Sequence, residues 1–276
     1  MISDNLQQVN LTPDDVDGAM ALSTEAGWNQ TADDWRHFIS QGATIGVRDG
    51  AERLVASAAA LPYDGPFGYV GMVLVTREAR RRGIATRLVD CCIDELRGRC
   101  LVPVLDATAE GALVYRRQGF LDQFGFDRWQ GEAGGRGTRD HATTADPAVV
   151  ENLDAGAFGA ARPALMRDFL GRSETAATAT TAGDGFAMVR AGRRAWQAGP
   201  VVAPSETAAM SLIERLFSGV SGEVFIDVPQ IWSRLGGWLA AHGFTIQRSF
   251  TRMALGRAEP FGDPASLFAV AGPEFG

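Results

Sequence analysis

Residues 73–88, VLVTREARRRGIATRL, join an apolar run, a basic turn and the opening of a helix. Ile84, Leu88, Cys92 and Leu96 recur every four residues through the segment 77–99, which lays one apolar face along that helix. A helix start leaves backbone N–H groups unpaired and carries the positive end of the helix dipole, so the turn before it favours an anion. In Arg80-x-x-Gly83-x-Ala85, Gly83 lets the backbone approach a ligand closely and the small Ala85 avoids a steric block. Arg80, Arg81 and Arg82 add positive field. A diphosphate suits this turn.

Outward from it, ATIGVRD (43–49), RLVASAAALPYD (53–64) and GYVGMVLVT (68–76) predict three successive strands, with Asp49-Gly50 as a tight turn, and hence an antiparallel meander. Between Pro13 and Ser40 the spacing of Val16, Met20, Leu22 and Ala26, then of Trp35, Phe38 and Ile39, predicts two short helices broken at Gly27-Trp28-Asn29. Thr12 and Thr31 are the candidate N-caps. On the other side, LVPVLDAT (101–108) reads as a strand, GALVYRRQGF (111–120) as a helix stopped by Gly119, and the stretch to Trp129 as a further strand. Residues 131–147 are Gly-rich and poor in large apolar side chains, and predict a linker.

Past the linker the order of elements recurs. GYVGMVLVT has a counterpart in RAWQAGPVVA (194–203), VLDAT (104–108) in VFIDVP (224–229), and Gln118-Gly119-Phe120 in His242-Gly243-Phe244, at offsets of about 128, 121 and 124 residues. One fold used twice is the expectation, and 276 residues at ~150 per domain agree with two domains.

Composition narrows the function. Apolar residues make up 46% and charged residues 21%, which is globular usage, and the net charge of −7 argues against a nucleic-acid partner. No Lys occurs, so a Lys Schiff base and a phosphate-loop Lys are excluded. Cys91, Cys92 and Cys100 lack metal-knuckle spacing, and Cys92 shares the apolar face of its helix. His37, His141 and His242 have no ligand spacing, so no metal is expected. Unpaired cysteines, the lack of a basic and apolar leader, and the absence of a long apolar run point to a cytoplasmic protein with no membrane partner.

Residues 73–88 followed by LDATAEGALVYRRQGF (105–120) resemble the GNAT (GCN5-related N-acetyltransferase) superfamily in motif order and separation. The resemblance implies an α+β chain of two tandem GNAT-like domains, each a mixed, mostly antiparallel sheet flanked by helices. It also implies that residues 1–135 are the acetyl-CoA-binding unit and that residues 145–276 are a degenerate GNAT-like domain lining the acceptor cleft. The segment 200–216 lacks the Arg-x-x-Gly-x-Ala spacing, so one acetyl-CoA site per chain is expected.

In that family the strand backbone, here Val73, Leu74 and Val75, pairs with the pantetheine arm, and Arg80, Arg81, Arg82, Gly83, Ile84, Ala85 and Thr86 surround the diphosphate. Thr108 replaces the usual Asn beside the arm. Tyr115 stands where the family's tyrosine protonates the coenzyme A sulfur, with packing as the alternative. The general base is not readable; Asp106 and its counterpart Asp227 are candidates for base or amine-orienting group, against a structural role. Trp28, Trp35, Tyr63 and Trp196 are candidate acceptor contacts or core. The apolar residues Phe261, Leu267, Phe268 and Phe275 predict a packed tail, with a homodimer contact as second choice. The implied activity is acetyl transfer to a primary amine of a small, cationic molecule; a non-catalytic acyl-CoA-responsive module and a peptide N-acetyltransferase are the alternatives.

Overall fold

The computed structural model of the chain describes residues 6–135, 145–172, 175–179 and 183–276. They form two compact units, Met1–Leu105 and Asp106–Gly276.

The first unit opens with β1 (Gln7–Asn10), which the sequence reading did not anticipate, because its four residues carry no apolar alternation. Helices α1 (Val16–Ala26) and α2 (Ala32–Gln41) follow. Thr31 caps α2 in a capping box with Asp34, and Thr12 makes the same motif with Asp15 on the 3-10 turn Pro13–Asp15. Gly27, at φ 70°, ends α1 in the left-handed conformation that glycine adopts without Cβ strain. The meander is β2 (Ala43–Arg48), β3 (Leu54–Pro62) and β4 (Phe67–Val75), antiparallel throughout. Helix α3 (Ile84–Gly98) returns the chain to β5 (Val102–Thr108), which pairs parallel with β4 through Phe67–Tyr69 against Val102–Val104. Trp35, Phe38, Phe67, Tyr69, Leu88 and Leu96 are buried in this unit.

The second unit contains α4 (Ala109–Arg117), β6 (Phe120–Gly134), α5 (Pro147–Phe158), α6 (Pro163–Gly171), β7 (Thr175–Ala179), β8 (Phe186–Arg190) and β9 (Trp196–Val202). It continues with α7 (Glu206–Gly219), β10 (Ser221–Pro229), α8 (Ser233–Ala241), β11 (Thr245–Leu255) and β12 (Leu267–Ala269). The strand order is β11-β6-β10-β9-β8-β7, with β12 on β9. The architecture is α+β, with mixed but mostly antiparallel pairing.

The repeat is visible in the pairing itself. β9 runs parallel to β10 only through Trp196–Ala198 against Val224–Ile226, as β4 does to β5, and α7 stands between them in sequence as α3 does. The sequence expectation divides the chain at 135–145, whereas the compact units divide after Leu105. β6 explains the difference: it lies between β10 and β11, so residues 120–134 are held in the second unit's sheet. Of the expected linker, residues 131–134 extend β6 and residues 136–144, His141 among them, lie outside the described residues.

Candidate functional site

In the first unit, β4 carries one residue more than β3 between the pairs Ala59–Gly71 and Ser57–Leu74. This bulge centres on Met72, a non-glycine residue at φ 53°. The fully buried Ser57 hydroxyl donates to the Met72 carbonyl at 2.8 Å and holds the turn in place. The β4–β5 ladder stops at Tyr69 and Val104, so the edge of β4 that includes Val73, Leu74 and Val75 runs on beyond it. The bulge was not foreseen from sequence; a Gly-Met pair in an apolar strand was its only signal.

After Thr76 the chain makes a 3-10 turn (Arg77–Ala79), and Arg80 Nε donates to the Val75 carbonyl at 3.1 Å. That bond ties Arg80 to the strand end, whereas Arg81 and Arg82 are exposed. Arg81 and Gly83 take positive φ, 61° and 74°, and Gly83 is the N-cap of α3. A Cβ on Gly83 would meet no atom within 4 Å, so the space in front of the helix start is open. Ile84 is buried under the turn, while Ala85 and Thr86 are half-buried. An open, positively charged helix start with a left-handed glycine is suited to an anion, and the chemistry of these residues fits the phosphate end of a coenzyme A thioester.

A cavity of about 830 Å³ also lies in this unit, lined by α1, the β2–β3 turn and Thr76–Glu78. Met72 to Thr76 spans roughly 13 Å at strand rise, which sets the cavity apart from the bulge.

Trp35 is fully buried and its indole N–H donates to Ser23 at 3.0 Å, so it is core and has no surface for an acceptor. Tyr63 is nearly buried against Phe67 and Tyr69, with ring centroids 6.4 and 6.5 Å away. Trp28 keeps partial exposure beside the Gly27 cap. Cys92 is buried, and burial first, then the neighbouring Cys91 and Glu95, pushes its thiol up to about 12, which removes it as a nucleophile.

In the second unit, Thr108 caps α4 by accepting from the Gly111 N–H at 3.2 Å. Tyr115 is half-buried on α4 with its ring 6.0 Å from Phe120. Both carboxylates considered as bases are tied to arginines. Asp106 receives Nε and Nη2 of Arg252 at 2.9 and 2.8 Å, and Asp227 receives the same pair of donors from Arg128 at 2.9 and 2.8 Å. Both carboxylates have zero side-chain exposure. Each is paired bidentately with a guanidinium, a geometry that suits the structural alternative of the two roles considered for them. Trp196 donates to the Ser221 carbonyl at 3.1 Å and packs on the α7–α8 core, so it too is anchored in the fold.

The second unit's own strand fork is filled. β12 pairs with Val201 and Val202 of β9, and the Val270 N–H donates to the Asp227 carbonyl of β10 at 3.0 Å. Past it, Arg162 donates to the carbonyls of Phe275 and Gly276 at 2.9 and 2.8 Å. The apolar tail is therefore packed, with Phe268 and Phe275 fully buried. The place that β4 and β5 leave open is closed in this repeat by residues 267–276, and no glycine stands between β9 and α7.

A bulged strand leading into an open basic turn and a helix, repeated in degenerate form, defines an acyltransferase of the GNAT class. Family models agree: the acetyltransferase (GNAT) family matches residues 15–126 and the acetyltransferase (GNAT) domain matches residues 150–269, so the chain belongs to the GNAT family as a tandem member. It is 26% identical over 246 residues to the uncharacterized N-acetyltransferase YitH of Bacillus subtilis, covering 86% of each chain. In fold it is similar to a candidate acetyltransferase from Pyrococcus horikoshii, with a TM-score of 0.82 at 19% identity over 100% of this chain and 98% of that one. It is also similar to a tandem GNAT protein of the clavulanic acid biosynthesis pathway, with a TM-score of 0.63 at 15% identity over 91% and 98% of the two chains. Among the described residues no His, Cys, Asp or Glu cluster suits a metal, and no helix is long and apolar enough to cross a membrane.

Proposed function

We propose that the chain transfers an acetyl group from acetyl-CoA to the primary amine of a small molecule, by direct attack of the amine on the thioester. The observation that carries this is the open Gly83 turn at the start of α3, following a strand bulged at Met72. Arg81, Arg82 and the N–H groups of the first α3 turn would hold the diphosphate, and the β4 edge from Val73 to Val75 would hold the pantetheine arm. Acetyl-CoA supplies the activated acyl group. Tyr115 is the residue assigned to protonate the departing thiolate.

With Asp106 and Asp227 tied to arginines, no buried carboxylate is assigned as base, so the amine enters neutral or loses its proton to water. The chain's net charge of −7 favours a cationic acceptor over an anionic one. Three unpaired cysteines support a cytoplasmic setting. Incubation with acetyl-CoA and a panel of polyamines, amino sugars, amino acids and short peptides, read by mass spectrometry, tests the proposal. A small-molecule product whose yield follows protein concentration is expected; acetylation of peptides alone would overturn the small-molecule reading.

A further inference from the structure

One face of the second unit's sheet carries a charge arrangement that acyl transfer does not use. In register across β11, β6 and β10 stand Arg248, Arg128 and Asp227. Asp227 is taken up by Arg128 and by Gln197 Nε2 at 2.9 Å. Further along, Glu223 accepts from Gln130. β11 carries one extra residue, Gln247, between the pairs Ile246–Trp129 and Arg248–Arg128, and Gln247 donates to Gln130 at 2.7 Å. Bulges of this kind re-aim side chains and are over-represented beside binding sites.

The guanidiniums of Arg128 and Arg194 lie 5.2 and 6.0 Å from the centre of one ring, Phe225, and Arg128 also lies 5.6 Å from Phe250. Among the described residues no carboxylate lies within ion-pair distance of Arg248, which is exposed. Its electrostatics run opposite to those of other arginines. Arg53, Arg116 and Arg167 are raised above the usual guanidinium value by the carboxylates of Asp49, Asp122 and Glu151. Arg248 is lowered, by burial first and then by Arg128 and Arg194, against the opposing pull of Asp227. A guanidinium held beside two others, with Asp227 already bidentately engaged by Arg128, is an arrangement that a bound anion completes.

We propose that Arg248, with Arg128 and Arg194 beside it over Phe225, forms an oxyanion-binding site in the second unit, for a small molecule bearing a carboxylate or a phosphoryl group. The planar fork of Arg248 matches either group, and the flanking aromatic rings lower the local dielectric in which the contact forms.

Calorimetric titration of the full chain with succinate and, separately, with inorganic phosphate tests this. The Gly83 turn also attracts phosphate, so the readout is the difference between wild type and Arg248→Gln. Arg248 is exposed, and its removal relieves like-charge repulsion, so the variant should melt at or above the wild-type temperature without added anion. Loss of the charge-assisted contact is expected to weaken at least one probe about tenfold or more, with Arg248→Lys recovering part of it. A response to succinate alone assigns the site to carboxylates; a response to phosphate assigns it to phosphoryl groups. Equal affinity of wild type and Arg248→Gln for both probes, no binding of either at tens of millimolar, or a marked fall in the variant's melting temperature would overturn the proposal.

Discussion

Arg252 of β11 holds Asp106 by two hydrogen bonds, and Arg128 of β6 holds Asp227 in the same way, 124 and 121 residues apart in their respective positions. The two ion pairs are repeat equivalents. Each joins the strand after the main helix of one repeat to a strand that lies beyond a Gly-Phe turn, so the duplication preserved a structural clamp while only one repeat kept an open basic turn.

Removing one partner of a buried pair leaves an uncompensated charge, so Asp106→Ala and Asp227→Ala should each destabilise the fold by about 3–5 kcal/mol. Chemical denaturation measures this. A variant of Asp106 with wild-type stability and no activity would return that carboxylate to the chemistry.

Tyr115→Phe should lower kcat by about 100-fold or more while leaving the KM for acetyl-CoA within a few-fold, because a general acid acts in the transition state. Steady-state kinetics with the acceptor found by the product screen decides it. Equal kcat for the two proteins would leave Tyr115 only its packing against Phe120.

Ser57→Ala removes the bond that fixes the Met72 bulge and leaves a buried carbonyl short of a donor, a cost of about 1–3 kcal/mol. The KM for acetyl-CoA should rise as the strand edge loses its geometry. An unchanged KM in a protein that melts lower would show that the bulge holds without this hydroxyl.

The strand, basic turn and helix were legible because the signals are local: an apolar run, a left-handed glycine and a four-residue apolar period. The helix caps at Thr12 and Thr31 were legible for the same reason. β6 was not, beyond Trp129, because its last residues are held by β10 and β11, strands whose sequences lie some 90 to 120 positions away. Asp106 drew a chemical reading because its strand lies beside the expected thioester, and Asp227 because it is the counterpart in the repeat. The missing signal was available in Arg128 and Arg252, which share the repeat offset but look like surface residues until the strands are paired.

Cys92 should resist alkylation in the native protein while the exposed Cys100 reacts, with Cys92 labelled only on unfolding. Because the buried thiol stays protonated up to about 12, against 9.0 as its ordinary value, the unfolded chain loses that proton first. The Cys92 contribution to stability is therefore intact below pH 9 and falls as the pH rises above it. Denaturation across that range checks the sign: a Cys92→Ala variant should show a shallower alkaline loss than wild type.

The proposed function places a single acyl-CoA site on the Gly83 turn of the first unit and none in the second, whose fork is filled by residues 267–276. Calorimetric titration of wild type and Gly83→Trp with acetyl-CoA tests it most directly. One equivalent is expected per wild-type chain and none for the variant; its Cβ meets no atom within 4 Å but sits at φ 74°, so the variant's melting temperature is measured alongside. Two equivalents per chain, or unchanged affinity in Gly83→Trp, would contradict it.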